Sequence, residues 1–175
     1  MTLEQDFALI KRNANKVVNQ INRQAAKVIN HLAVQARNQA TKTVAKDIGV
    51  PTKTLRGRTR QSKNQRATTT KLKAQLRVNI SPLPLIRVLE GKNNRIWVGK
   101  GGILVGKYAV QRGFVQRLAN GRTHVMQRAG QARYSIDVVK VPLRQPLTLA
   151  YQNVLKNYPA ELQKELKNRL SAVFS

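Results

Sequence analysis

Acidic residues are scarce in this chain, and their scarcity constrains its fold and its partners more than any other feature. The 175 residues include 33 Lys and Arg but only 7 Asp and Glu, so the formal net charge at pH 7 is +26. No acid occurs between Asp47 and Glu90 or between Glu90 and Asp137, and these two stretches hold nineteen basic residues. A chain with this many like charges repels itself when it folds compactly. Binding to a polyanion such as DNA offsets that repulsion, and it is favoured further because the polyanion releases its counter-ions. We therefore expect the chain to work beside DNA, RNA or a strongly acidic protein surface.

The composition excludes several classes of protein. The chain has no cysteine, which removes disulfides, thiolate zinc sites and cysteine nucleophiles. No apolar run approaches the ~18 residues of a membrane span, and the N-terminus lacks the apolar core of a signal peptide. No pair of histidines or carboxylates has metal-ligand spacing. We expect synthesis in the cytoplasm, no membrane partner, no metal and no cofactor.

The hydrophobic pattern predicts an α+β fold. Apolar residues recur every three or four positions through residues 1–48, which predicts one long helix that Gly49 and Pro51 end. Alternating and glycine-punctuated segments in 72–142 predict an antiparallel sheet, and 143–175 predicts C-terminal helices packed on it. Residues 49–71 are interpreted as an extended basic arm or loop. It begins with a short turn of helix, from about Thr52 to Arg58, and continues as the stretch 57–71, which has almost nothing to bury and is mobile until a partner binds. We expect a single domain over residues 1–175.

The sheet region carries three specific predictions. Residues 71–80 alternate polar and apolar without a break, which predicts a half-buried strand with one basic face. Residues 85–89 predict a second, shorter strand. The pair Asn120-Gly121 predicts a two-residue hairpin turn of type I′, which needs positive φ at both positions.

The basic residues of the arm and of the first predicted strand are the candidate contacts with DNA or with a partner protein. Their role would be to neutralise charge and to dock neighbouring subunits. They are Lys53, Arg56, Arg58, Arg60, Lys63, Arg66, Lys71, Lys73 and Arg77.

Three segments imitate other functional motifs. Residues 44–58 follow the order of a helix-turn-helix, which gives the alternative of a free nucleic-acid-binding protein. Residues 101–107 have the glycine and lysine spacing of a P-loop, but Tyr108 replaces the required hydroxyl residue, so a glycine-rich hairpin is favoured. His124 and Asp137 could meet on adjacent strands as an acid–base pair. We favour Asp137 as an ion-pair hub with Lys140 and Arg133, and do not expect an enzyme.

Two segments resemble the minor tail protein Z family of long-tailed phages, also called tail completion proteins: GFVQRLANGRTHVMQR at 113–128 and YSIDVVKVPLRQPLTLAY at 134–151. The last segment, 159–174, and the alanine-rich first helix are similar to the family less sharply. Residues 57–106 match the family only in general character, as a basic arm that leads into a strand with alternating Lys and Arg.

The resemblance implies a non-enzymatic structural protein at the head-proximal end of the virion tail, which makes the tail competent to join the filled head. It implies a ring of copies, six by analogy, as well as contacts with the tail terminator or tail tube, the head connector and the DNA end. Residues expected to serve the fold or the subunit interface are Asn120, Gly121, Thr123, His124, Met126, Asp137 and Lys140.

Overall fold

The computed structural model describes residues 3–91, 94–128, 130 and 135–174. The chain divides into two compact units. The first unit comprises Met1–Arg37, Arg60–Arg77 and Asn153–Ser175, and the second comprises Asn38–Thr59 and Val78–Gln152.

The longest element is helix α1, Leu3–Ile48, whose 46 residues match the predicted extent. Glu4 and Asp6 lie in its first turn and Lys46 in its last, where each charge complements the helix dipole. Gly49 ends the helix with a φ of 81°, a conformation that glycine adopts without steric cost. The N–H groups of Gly49 and Val50 both donate to the carbonyl of Ala45, at 3.0 and 2.9 Å.

In the part of the chain that the structure describes, three shorter α-helices follow α1. Helix α2 is Thr52–Arg56, α3 is Arg144–Lys156 and α4 is Tyr158–Phe174. In the first unit, the Tyr158 hydroxyl donates to the Ile29 carbonyl at 3.2 Å, which ties the start of α4 to α1.

Within the described residues the strands form four small sheets in place of the one predicted sheet. The first three-stranded sheet contains β4 (Ile96–Gly99), β5 (Gly102–Val105) and β6 (Tyr108–Gln111). The second contains β7 (Gly113–Arg117), β8 (Thr123–Arg128) and β9 (Ile136–Val138). Strand β3 (Leu83–Pro84) pairs with β10 (Lys140–Val141), and β1 (Thr59–Arg60) pairs with β2 (Arg77–Val78). The α+β class is confirmed.

The larger core lies in the second unit and is aliphatic. Removing each of these side chains from water contributes roughly 1.5–3 kcal/mol, and this burial holds the small sheets and the end of α1 together. Its most buried large side chains are Ile48, Leu55, Leu85, Val88, Val105, Val125, Leu143 and Leu147.

Two predicted strands are wrong. Of residues 71–80 only Arg77–Val78 is a strand. Ala74, Leu76 and Val78 are half-buried, whereas Leu72 and Ile80 at the two ends are 45% and 43% exposed. The segment predicted as strand 85–89 is a 3-10 helix, Leu85–Glu90. Leu85 and Val88 are both buried because side chains three apart align on a helix of three residues per turn.

The hairpin between β7 and β8 is present, but its predicted turn type is wrong. Of the described residues in this loop only Gly121 has a positive φ, at 75°, so Asn120 does not adopt the type I′ conformation. The Gly121 N–H donates to the Leu118 carbonyl at 2.9 Å, and the Leu118 N–H donates to the Arg122 carbonyl at 2.8 Å. These bonds close a three-residue loop in which a glycine in the left-handed region follows a turn.

Candidate functional site: a basic groove

An open groove in the second unit brings three cationic side chains together, and we call it the basic groove. Sequence reasoning selected two of them, Lys53 and Arg58, but missed Arg87. Glu90, also missed, is the one carboxylate among the described residues that line it. The lining residues are Pro51, Lys53, Thr54, Arg58, Leu83, Arg87 and Glu90.

Two short helices position the groove side chains. Helix α2 carries Lys53 and Thr54, and its Leu55 is 1% exposed, which anchors the helix in the core. The 3-10 helix Leu85–Glu90 buries Leu85 and Val88 and leaves Arg87 and Glu90 on its exposed side. Each helix therefore has one apolar anchor side and one charged side.

Glu90 is held by two donors. Arg87 donates from Nη1 to Glu90 Oε1, and Thr54 Oγ1 donates to Oε2 at 2.7 Å. These hydrogen bonds, that of Arg87 first, hold the pKa of the Glu90 carboxyl below its ordinary value of 4.5. Glu90 is therefore ionised at neutral pH, and it offsets one of the three positive charges.

Arg58 is the most buried of the groove cations. Its Nη1 donates to the Ser81 carbonyl at 2.5 Å. Burial, and then the positive charge of Arg87, lowers the pKa of the Arg58 guanidinium. The charge of Arg58 is thus incompletely compensated, and an anion in the groove would be stabilised by it. A planar guanidinium donates to phosphate or carboxylate oxygens in pairs, which suits both kinds of ligand.

The remaining predicted contacts are exposed but lie elsewhere. Arg56 lines a separate surface of the second unit with Lys42. Residues 60–77, in the first unit, carry the other exposed cations: Arg60, Lys63, Arg66, Lys71, Lys73 and Arg77.

The prediction that residues 57–71 have almost nothing to bury is wrong at Thr59 and Ala67, which are 2% and 6% exposed. The Asn30 side chain of α1 donates to the Ala67 carbonyl and accepts from the Ala67 N–H, both at 2.9 Å. Just before Ala67 in the chain, Ser62 and Gln65 form a capping box around the 3-10 helix Lys63–Gln65. The Asn30 side chain thus satisfies both backbone hydrogen-bonding groups of Ala67.

The hypothesis of an acid–base pair between His124 and Asp137 is wrong. In the register of β7, β8 and β9, His124 lies opposite Gln116, and Asp137 lies opposite Gln127. Residues 124 and 127 point to opposite faces of β8, because side chains alternate along a strand. Asp137 is exposed and makes no ion pair with Lys140 among the described residues, and Arg133 lies outside those residues.

Two other motif interpretations can be decided from the backbone. Helix α2 has five residues, too few for a recognition helix, so the helix-turn-helix alternative lacks its reading element. Residues 101–107 lie in and around strand β5, and β5 pairs antiparallel with β6 through Val105 and Tyr108. The glycine-rich hairpin is confirmed, because a P-loop requires a helix at that point.

Sequence reasoning missed one exposed apolar surface. Trp97, Leu104 and Ala109 lie opposite one another on β4, β5 and β6, on the face away from buried Ile103 and Val110. Trp97, the one tryptophan of the chain, is 64% exposed. Exposed aromatic side chains are enriched at protein interfaces.

Within the described part of the chain, no helix is long and apolar enough to cross a bilayer. The same residues include no group of three or more His, Cys, Asp or Glu placed to hold a metal ion.

Comparison with known proteins confirms the resemblance to a phage tail family. The chain is 40% identical over 160 residues to tail completion protein Z of Escherichia phage lambda, covering 81% of this chain and 80% of that protein. It is 37% identical over 139 residues to the tail completion protein of Escherichia phage N15, covering 76% of this chain and 74% of that protein. No solved structure matches the chain. Residues 10–174 match the model of prophage minor tail protein Z, and the chain belongs to that family.

Proposed function

We propose that this chain is a tail completion protein: a non-enzymatic component of the virion tail that makes the tail competent to join the filled head. The observation that carries the proposal is the similarity, over most of its length, to relatives from lambda and N15 that are named tail completion proteins. The proposed position is the head-proximal end of the tail.

The basic groove and the exposed cations of the arm give this role a physical basis. DNA must pass the head-proximal end of the tail, and its backbone presents a dense row of phosphate charges. Lys53, Arg58 and Arg87 in the groove would contact phosphates, or a carboxylate-rich partner surface, through charge-assisted hydrogen bonds. Phosphate contacts carry no sequence information, and a protein that must accept any DNA end requires none.

The proposed protein partners are further copies of the chain, the tail terminator or tail tube protein, and the head connector. A closed ring of copies, six by analogy with tail symmetry, would match the axis of the tail. Of the residues expected at an interface, Asn120, Gly121, Thr123, Asp137 and Lys140 are exposed and accessible to such partners, whereas His124 and Met126 are half-buried.

Complementation tests the proposal. Lysates of the phage or prophage that lack this gene would receive the wild-type chain, the groove variant Arg58→Gln/Arg87→Gln, or the control Lys164→Gln/Lys167→Gln. The control removes the same charge from exposed positions of α4. We expect the wild type and the control to restore infectious particles, and the groove variant to restore fewer while unfolding at a temperature close to that of the wild type.

The outcomes separate the two parts of the proposal. Full restoration by the groove variant would contradict a role for the groove and leave tail completion standing. A deletion lysate that is already infectious would contradict tail completion itself.

A further inference from the structure

The N-terminal part of α1 is an exposed amphipathic helix. Residues 4–20 are all exposed, whereas α1 is buried at regular intervals from Ala25 onward. Three of its large apolar side chains are strongly exposed: Phe7 at 71%, Ile10 at 66% and Val17 at 42%. Contiguous apolar side chains of this size on a surface mark an interaction site.

The spacing of these residues differs from that of the buried part of the helix. Leu3, Phe7, Ile10, Ala14, Val17 and Ile21 alternate strictly in steps of four and three, which is the heptad repeat of a coiled coil. Beyond Ile21 the stripe advances to Ala25, a second consecutive step of four, and then to Val28. Such a step is a stutter, which ends the 3.5-residue period.

The stutter coincides with the change in burial. Ile21 is half-buried, and Ala25 and Val28 are 8% and 0% exposed against the chain's own residues. The buried part of α1 is therefore spaced for packing within the chain. The exposed part is spaced for packing against another helix of the same period.

Charge favours a second copy of this chain as that helix. Residues 3–21 contain Glu4 and Asp6 against Lys11, Arg12 and Lys16, a net charge of +1 in a chain of +26. This segment can thus approach its own copy without the repulsion that most of the chain would meet.

Charge also selects the orientation of the two helices. With Phe7, Ala14 and Ile21 at heptad position a, Asp6 occupies position g and Lys11 the following position e. In a parallel pair, position g of one helix lies beside the following position e of the other. Asp6 of each copy would then face Lys11 of its partner, twice per pair.

We propose that residues 3–21 of α1 pair in parallel with the same segment of a second copy, through a short coiled coil about 28 Å long at 1.5 Å per residue. Phe7, Ile10, Ala14 and Val17 form its seam, and Asp6 and Lys11 fix its direction. This pairing deepens the proposed self-association but requires neither a ring nor a tail.

Single cysteines test the geometry directly, because the chain has none of its own. In the parallel pair Ala14 lies opposite Ala14 at the seam, whereas Ala8 lies at position b on the outside. A disulfide needs Cα atoms within about 7 Å of each other. Under mild oxidation we expect Ala14→Cys to form covalent dimers and Ala8→Cys to form few. Equal yields from the two variants would overturn the proposal.

Charge exchange tests the direction. Asp6→Lys sets two lysines side by side, one at position 6 and the other the partner's Lys11. Lys11→Asp likewise sets two aspartates side by side, so each variant repels its own copy. Mixed together, the two variants pair opposite charges again at both contacts. Sedimentation of the full chain should show that each variant alone self-associates more weakly than the wild type, and that the mixture of the two associates about as strongly as the wild type. A mixture that associates no more strongly than either variant would overturn the parallel register.

The apolar seam has a matched control on the same helix. Phe7→Glu/Ile10→Glu places charges in the seam and should raise the dissociation constant by about tenfold or more. Leu9→Glu adds a charge at another exposed apolar position, 52% exposed but off the seam, and should change it little. A wild-type chain that is monomeric at every concentration tested, or an Ala14→Cys variant that forms rings without disulfide cross-links, would overturn the pairing. The second of these results would leave the proposed function intact.

Discussion

In the basic groove, burial and the positive charge of the neighbouring Arg87 together lower the pKa of the Arg58 guanidinium. Arg87 also donates to Glu90, and Glu90 is the one carboxylate among the described groove residues. Three cations thus share one anion, and one of the three, Arg58, is partly desolvated. Such a site is relieved by a ligand that brings negative charge, which is why we assign anion contact to this groove before any other surface.

DNA binding should be sequence-blind and sensitive to salt. Arg58→Gln/Arg87→Gln should weaken binding to all DNA duplexes alike, because the two guanidinium groups would bind phosphates and not base edges. The slope of log K against log salt should fall in magnitude by about 0.9 for each phosphate that the variant no longer neutralises. Fluorescence anisotropy with unrelated duplexes measures both quantities, with Lys164→Gln/Lys167→Gln as the control for charge.

The opposite result would favour the alternative function. A free regulator prefers its own site over random DNA by about 10³-fold or more. Preference of that size, abolished in the groove variant, would contradict the tail assignment.

Glu90 makes stability depend on pH in a defined direction. Its pKa is lowered in the folded state, chiefly by the Arg87 hydrogen bond and then by that of Thr54, so the folded chain binds a proton less readily than the unfolded chain. The stability that this carboxylate contributes is present above its unfolded pKa and is lost as the pH falls through the folded value. The difference in free energy of unfolding between wild type and Glu90→Gln should be constant at neutral pH and shrink below about pH 4.5. Urea unfolding across this range measures it, and a difference that grows on acidification would contradict the assignment.

Asn30 should hold the arm on α1. Asn30→Ala removes both hydrogen bonds to the Ala67 backbone and leaves a buried N–H and carbonyl without their partner, at a cost of about 1–3 kcal/mol. Limited proteolysis should then cleave residues 61–71 sooner than in the wild type. Asn15→Ala, on the exposed part of the same helix, is the control and should cleave like the wild type. Unchanged cleavage of the Asn30 variant would show that other contacts hold the arm.

Two leucines on α3 provide a paired test of the core. Leu147 is 2% exposed and Leu149 is 50% exposed. Leu147→Ala should lower the free energy of unfolding by about 2–5 kcal/mol, because it removes buried methyl groups and leaves a cavity. Leu149→Ala should lower it by less than about 1 kcal/mol. Chemical denaturation of both variants under one set of conditions would show whether α3 packs with Leu147 inward; equal losses would contradict that packing.

The exposed tryptophan should matter for assembly and little for folding. Because Trp97 is 64% exposed, Trp97→Ala should change the free energy of unfolding by about 0.5 kcal/mol or less. If the face with Leu104 contacts another tail protein, the variant should complement a deletion lysate poorly. Normal complementation by the folded variant would exclude that face as a required contact.

Local patterns predicted the elements whose stability is local. The extent of α1 followed from its apolar period and from Gly49 and Pro51, and the β7–β8 hairpin followed from Asn120-Gly121 between two strand patterns. The pattern in 71–80 failed because alternation defines two faces but does not supply a neighbouring strand. Only Arg77–Val78 has a neighbouring strand, which is Thr59–Arg60.

The basic groove was only half predictable for a similar reason. Lys53 and Arg58 stood out because they belong to a dense run of basic residues. Arg87 and Glu90 lie far along the chain, in a segment patterned like a strand, and they reach the groove because Leu85 and Val88 bury the other side of a 3-10 helix. No pattern within either segment of the sequence indicates that the two segments meet in the folded chain. The spacing of Arg87 and Glu90, three apart, would have indicated a helical pair had the segment been assigned as a helix.

The most direct test of tail completion is electron microscopy of particles from the parent phage or prophage with this gene deleted. A role in tail completion predicts filled heads and tails that remain separate, or joined particles that cannot infect, with either defect repaired when the wild-type chain is supplied. Normal, infectious particles in undiminished number would contradict it.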